Sequence, residues 1–168
     1  YIAIARPDHW VKHIFIVPGI VLGYLLVGTD TGNLFFSLSL GLPSAFFIAS
    51  GNYVINEWLD REFDKHHPIK KDRLAVTGLL KAKFVYLEYL ILILLGLGFA
   101  WFVSLLFFFT AVLFFISGLI YNVPPIRFKE WAFLVVIVES INNPIRLTLG
   151  WSMVVAHILP PMSLLIIF

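Results

Sequence analysis

From Phe84 to Val123 the chain carries one charged side chain, Glu88, and no polar linker. A bilayer-spanning helix needs about 20 mostly apolar residues, so this run is long enough for two crossings. It divides most naturally near Trp101–Ser104, where an interfacial Trp suits a tight hairpin. The same reading gives spans over about 13–28, which is short, over 34–56 and over 131–158, with a sixth beginning at Pro160. Pro43 and the glycines inside these stretches raise no objection, since both residues are common in membrane helices. With 60% hydrophobic and only 13% charged residues, the chain has too little polar surface to cover a water-soluble globule. The expected fold is therefore all-α: one membrane-embedded domain over 1–168, built as a transmembrane bundle of about five helices plus the start of a sixth.

The charge is concentrated. More than half of the Asp, Glu, Lys and Arg residues lie between Glu57 and Lys83, read here as a charged loop after the second span. Alternating the five spans places every Lys and Arg except Arg146 on one side, which the positive-inside rule makes cytoplasmic. These observations predict a multi-pass protein of a prokaryotic cytoplasmic membrane with the charged loop facing the cytoplasm. A net charge of +2 gives no bulk electrostatic case for nucleic acid. Cys is absent, which excludes disulfides, thiolate metal sites and Cys nucleophiles. The start has no basic n-region ahead of an apolar core, so no secretory signal is read. There is no initiator Met, and the last residues, MSLLIIF, stop inside an apolar run; both ends read as those of a fragment.

Within NEWLDREFD, residues 56–64, Asn56, Asp60 and Asp64 are four apart. A spacing of four advances only about 40° around a helix, so an amide and two carboxylates share one face, with Glu57 beside them. Hard oxygen ligands of this kind suit Mg²⁺, which takes one or two carboxylates and completes its shell with water and substrate phosphates. Lys70, Lys71 and Arg73 follow and can pair with phosphate oxygens. The alternative is an ordinary solvated loop. His66 and His67 read as loop residues, because no Cys and no spaced His supports a zinc site.

The stretch SGNYVINEWLDREFDKHHPIKKDRLAVTG resembles the first aspartate-rich motif of the UbiA superfamily of intramembrane prenyltransferases, N-D-x-x-D-x-x-x-D. Asn56, Asp60 and Asp64 match, and Glu57 stands where that family usually has Asp. ARPDHWVKH is similar to the family's entry to its first helix through Arg6, Pro7, Trp10 and Lys12, with His13 in place of Asn. HHPIKKDR is similar through His67, Pro68, Lys71 and Arg73, with Leu74 in place of Pro, and YNVPPIRFK through Tyr121 and Lys129. Among the branches, the one that transfers phosphoribose from phosphoribosyl pyrophosphate to decaprenyl phosphate is the most similar, although Val135 replaces an Asp common there. The resemblance implies a Mg²⁺-dependent transferase that expels pyrophosphate, moving either that phosphoribose or a prenyl group. Its partners would be an isoprenoid lipid and a diphosphate-bearing donor. It implies Asn56, Glu57, Asp60 and Asp64 as metal ligands, Asp60, Asp64, Lys71 and Arg73 as catalytic groups, and Arg6, Lys12, Tyr121, Lys129, Asn143 and Arg146 as substrate-binding groups.

ESINNPIR, residues 139–146, interrupts the fifth span. Glu139 and Arg146 are costly inside a bilayer and mark a functional site by default. They are two helical turns apart on one face, with Asn143 between them. Pro144 frees a backbone carbonyl that is best tolerated beside protein or water, so a cavity lining is expected rather than a purely structural helix contact. The second aspartate-rich motif of the family has no counterpart: no Asp follows Asp72, and no acidic residue follows Glu139. The isolated chain is therefore expected to lack a full active site. Two other classes fit the same features, a transporter or channel segment and a non-catalytic polyprenyl-lipid-binding protein.

Overall fold

A computed structural model describes residues 2–6 and 13–168. Six helices follow in order: α1 (Ile16–Leu26), α2 (Leu34–Asp64), α3 (Ala82–Val103), α4 (Leu105–Asn122), α5 (Ala132–Ser152) and α6 (Met162–Ile167). Short 3-10 turns cover Ile2–Ala5, Lys70–Asp72 and Phe128–Glu130. No strand occurs among the described residues. Helices α2, α3, α4 and α5 are long and apolar enough to cross a membrane, and the apolar helix from His13 to Leu26 is shorter. The chain is a multi-pass all-helical bundle.

The second span differs most from expectation. Helix α2 has 31 residues, about 46 Å at 1.5 Å per residue, against a hydrocarbon layer of about 30 Å. It begins where the Asn33 side chain accepts a hydrogen bond from Phe36 N at 3.0 Å. It then runs through Pro43 and does not stop until Asp64. Glu57–Asp64 is therefore the last two turns of this helix rather than loop, and the loop proper starts at Lys65. The break between α3 and α4 falls at Ser104, whose extended backbone ends one helix while its hydroxyl accepts from Phe107 N at 3.1 Å to start the next.

Small residues set the packing. On α2 and α3, the Ser44 hydroxyl donates to Gly96 O at 2.6 Å, and Gly51 leaves room for the Ile93 side chain. Helix α1 packs along α5 at a seam where glycines bring the two backbones together. A Cβ on Gly19 would fall on the Leu147 carbonyl, one on Gly150 would fall on the Ile16 carbonyl, and Gly23 lies against the Trp151 backbone. Gly19 and Gly23 form a G-x-x-x-G pair, the spacing that lets membrane helices approach backbone to backbone.

Two apolar clusters bear on function. The central one joins Ile48 and Ala49 of α2, Phe107 and Phe114 of α4 and Leu149 of α5, among others. The second gathers Ile4 and Ala5 with Val54, Trp58, Ala75 and Val85. It pins the N-terminal turn and the loop after α2 against the charged end of that helix. Trp58 is buried here, and the Arg61 guanidinium lies 4.1 Å over its ring.

Candidate active site at the charged end of the bundle

The charged end of α2 opens into a cavity of about 500 Å³. Its mouth is lined by Asp60, Lys129, Lys70, Arg73 and Arg6. One turn further in are Asn56, Tyr121, Asn122 and Glu139, and deeper still Asn52, Ser117, Asn142 and Arg146. Polar residues thus line it along its whole depth, across α2, α4 and α5. The 3-10 turn after α4 delivers Lys129. The N-terminal turn and the loop after α2, held by the second apolar cluster, deliver Arg6, Lys70 and Arg73.

At the mouth the acidic oxygens are already neutralised. Lys129 Nζ lies 2.6 Å from Asp60 Oδ1 and donates to Asn56 Oδ1 at 2.7 Å and to Asn122 Oδ1 at 3.2 Å. Arg127 Nη2 donates to the same Asp60 oxygen at 2.7 Å, and the Arg127 guanidinium lies over the Phe63 ring. Arg127 reaches this position from a left-handed backbone conformation, φ 34°. Burial pulls the Lys129 ammonium below the ordinary lysine pKa, while its contact with Asp60 pulls the other way. Asp64 is held by Arg73 at 2.6 Å, with Lys70 at 3.9 Å from its other oxygen.

Deeper in, the Tyr121 hydroxyl donates to Glu139 Oε1 at 3.2 Å, and the Ser117 hydroxyl donates to Asn142 Oδ1 at 2.8 Å. Arg146 Nη1 donates to Asn143 Oδ1 at 3.2 Å, and its guanidinium lies 5.7 Å from the Phe114 ring centroid. Seven residues separate Glu139 from Arg146, about 10 Å along the helix axis. No ion pair joins them among the described residues, and each finds a different partner.

The oxygens of Asn56 and Asp60 share one cation in this structure, the Lys129 ammonium. That geometry, together with the hard chemistry of an amide and a carboxylate, fits a divalent ion such as Mg²⁺ whose remaining shell comes from water and phosphate. No cluster of three or more His, Cys, Asp or Glu residues that could hold a metal occurs among the described residues, so a cage made by the protein alone does not fit.

The structure brings only some of the expected residues together. Glu57 does not line the cavity; one residue past Asn56 it is turned about 100° around α2, is buried, and accepts from the backbone of Ala75. Asp64 likewise does not line it and is tied to Arg73 instead. Lys71 is exposed, and Lys70 takes the place expected of it. Asn143 lines a neighbouring groove beside Ser140, while its neighbour Asn142 faces the cavity. Lys12 lies outside the described residues. Asp60, Asn56, Arg6, Arg73, Tyr121, Lys129 and Arg146 do converge. Sequence reasoning missed Arg127, Asn122 and Asn52. Only Asn52 carried a signal, being four residues before Asn56 in the same register.

Residues 16–168 match the UbiA prenyltransferase family. The nodulation protein NoeC of Azorhizobium caulinodans is 33% identical over 97 residues, 57% of this chain and 30% of that protein. The structure of a UbiA homolog from Archaeoglobus fulgidus bound to DMAPP and Mg²⁺ superposes with a TM-score of 0.81 at 24% identity, covering 96% of this chain and 56% of that one. The same homolog bound to GPP and Mg²⁺ gives 0.80 with the same coverage and identity. These likenesses show the fold, and the chain spans little more than half the length of those structures. It belongs to the UbiA prenyltransferase family.

Proposed function

We propose that this UbiA-family chain carries the diphosphate-binding half of an intramembrane, Mg²⁺-dependent transferase that expels pyrophosphate. The observation that carries this reading is the mouth of the cavity. There the Asn56 and Asp60 oxygens face Arg6, Lys70, Arg73 and Lys129 across one opening, at the end of a helix longer than the membrane is thick. Hard oxygens on one wall and cations on the other suit a metal–diphosphate. The UbiA homolog of the same fold was solved with Mg²⁺ and prenyl diphosphates.

In this reading Asn56 and Asp60 hold the metal, which supplies neutralisation of the charge on the departing pyrophosphate. Lys70, Arg73 and Arg6 bind phosphate oxygens and orient the diphosphate along the cavity axis. Lys129, which burial already holds below its usual pKa, turns from Asp60 to the ligand. Asp64 positions Arg73 through its ion pair, and Glu57 braces the loop through Ala75. The transferred group then lies deeper, where the bundle limits access of water. That group is a prenyl chain from a prenyl diphosphate, or phosphoribose from phosphoribosyl pyrophosphate passing to a polyprenyl phosphate. With basic side chains gathered at this end, the mouth faces the cytoplasm.

The test is calorimetric titration of the chain, reconstituted in lipid nanodiscs, with pyrophosphate in the presence and absence of Mg²⁺. Binding should require Mg²⁺. Asp60→Asn keeps the shape and should weaken binding more than about 100-fold, the scale of losing a partly buried charge partner. Mg²⁺-independent binding, or binding indifferent to Asp60→Asn, would remove the proposal.

A further inference from the structure

Arg127 meets Asp60 without lining the cavity. Its Nη2 donates to Asp60 Oδ1 at 2.7 Å, the same oxygen that the Lys129 ammonium reaches from among the cavity-lining residues. A carboxylate oxygen has two lone pairs, so one oxygen serves both partners. The two cations differ in what holds them. Lys129 ends in a point charge on a flexible stem, and its other contacts, Asn56 and Asn122, are neutral amides of the same cavity. The Arg127 guanidinium is planar and permanently charged, and it is fixed on three sides. Asp60 is one, Glu130 Oε1 lies 2.8 Å from its Nε, and the Phe63 ring centroid lies 5.1 Å from its carbon. The backbone that delivers it is left-handed, φ 34°. Such a step is uncommon outside glycine, and residues held in it cluster at functional sites.

We infer that Arg127 is a positioning residue that holds Asp60 in place while Lys129 changes partner. When Lys129 turns to the diphosphate, an unrestrained Asp60 carboxylate would follow it, since the two are 2.6 Å apart and mostly out of water. Arg127 opposes that movement. It keeps Asp60 Oδ1 facing the place the ammonium leaves, beside Asn56 Oδ1, where the reading above puts the metal. It touches neither the metal nor the diphosphate and acts through Asp60 alone. Glu130 and Phe63 make the holder itself rigid, so the lysine is the part that moves. The inference rests on the reading that Mg²⁺ and diphosphate meet at the mouth.

The experiment is a double-mutant cycle, read by calorimetric titration of the nanodisc-reconstituted chain with pyrophosphate and Mg²⁺. Arg127→Asn suits a left-handed backbone and is too short to reach Asp60. In the unaltered background it should weaken binding about tenfold, the scale of one hydrogen bond to a charged group. In the Asp60→Asn background it should weaken binding by less than about twofold, because the carboxylate it positions is gone. A merely structural role, such as shaping the loop that carries Lys129, predicts the same loss in both backgrounds, and that result would overturn the inference. So would an unweakened Arg127→Asn protein. If Arg127→Asn does not fold, Glu130→Gln tests the same point by loosening the guanidinium. It should weaken binding about twofold, the scale of an exposed ion pair, and no weakening would overturn the inference. Absence of Mg²⁺-dependent pyrophosphate binding by the unaltered chain would overturn the reading of the mouth and this inference with it.

Discussion

Helix α5 meets its neighbours by different means at its two ends. Toward Gly150 it touches α1 backbone to backbone, with Gly19, Gly23 and Gly150 letting carbonyls approach and no ion pair crossing the seam among the described residues. Beside its N-terminus, Arg127 and Lys129, each 12% exposed, converge on one oxygen of Asp60, itself 18% exposed. The seam is held by dispersion and tolerates no added atom. The mouth is held by charges that are largely out of water, where the gain from pairing is offset by desolvation. Rigidity therefore comes from the seam, and the mouth is left free to exchange partners.

The contrast can be broken first at the seam. Gly150→Leu drives a side chain into the Ile16 carbonyl and should abolish cooperative thermal unfolding in detergent, or lower stability by more than the about 1–3 kcal/mol typical of core overpacking. Adding salt should not change the size of this loss. Arg127→Ala comes next. It leaves Asp60 with Lys129 alone and should lower stability by about 1–3 kcal/mol, a deficit that should vary with ionic strength in a salt series of melts.

Lys129→Met bears on fold and function together. It leaves Asp60 with Arg127 and takes the donor from Asn56 and Asn122, so stability should fall by about 1–3 kcal/mol. Pyrophosphate affinity should also fall about tenfold, as for loss of one charge-assisted bond. The pH dependence gives a second handle. Because burial lowers the Lys129 pKa, its ammonium is lost at a pH below the ordinary lysine range. Pyrophosphate affinity should decline there, and Lys129→Arg should carry it to higher pH. For stability the sign is opposite: between the lowered and the ordinary pKa the unfolded chain binds more proton, so the folded state gains as pH rises. The smallest effect belongs to the exposed Lys65–Glu62 pair at 2.7 Å, where Glu62→Gln should change the melting free energy by under about 0.5 kcal/mol.

The helices were legible because bilayer thickness leaves few choices for a chain this apolar. Ser104 was locatable from the length of the run it divides. Less legible was the end of α2. Hydropathy falls at Asn56, yet the helix continues to Asp64, because helical hydrogen bonding does not stop where apolarity does. The oxygen stripe followed from spacing alone, and Asn52 belonged to it by the same arithmetic. Arg127 was beyond reach, since its place depends on a left-handed backbone step and on the distance from the end of α4 back to Asp60. Between Asn142 and Asn143 the sequence offers two equal amides, and only the rotation of α5 about its axis decides which faces inward.

Lys129 between Asn56 and Asp60 makes the resting site a closed circuit. An oxygen already bound to an ammonium is not an open ligand, so an incoming cation has to evict a tenant as well as shed water. A bare metal ion meets that resistance in full. A metal arriving with its own anion does not, because the evicted ammonium finds new acceptors on the anion in the same movement. On the proposed reading, the lysine would favour a metal that arrives with its diphosphate over the bare ion.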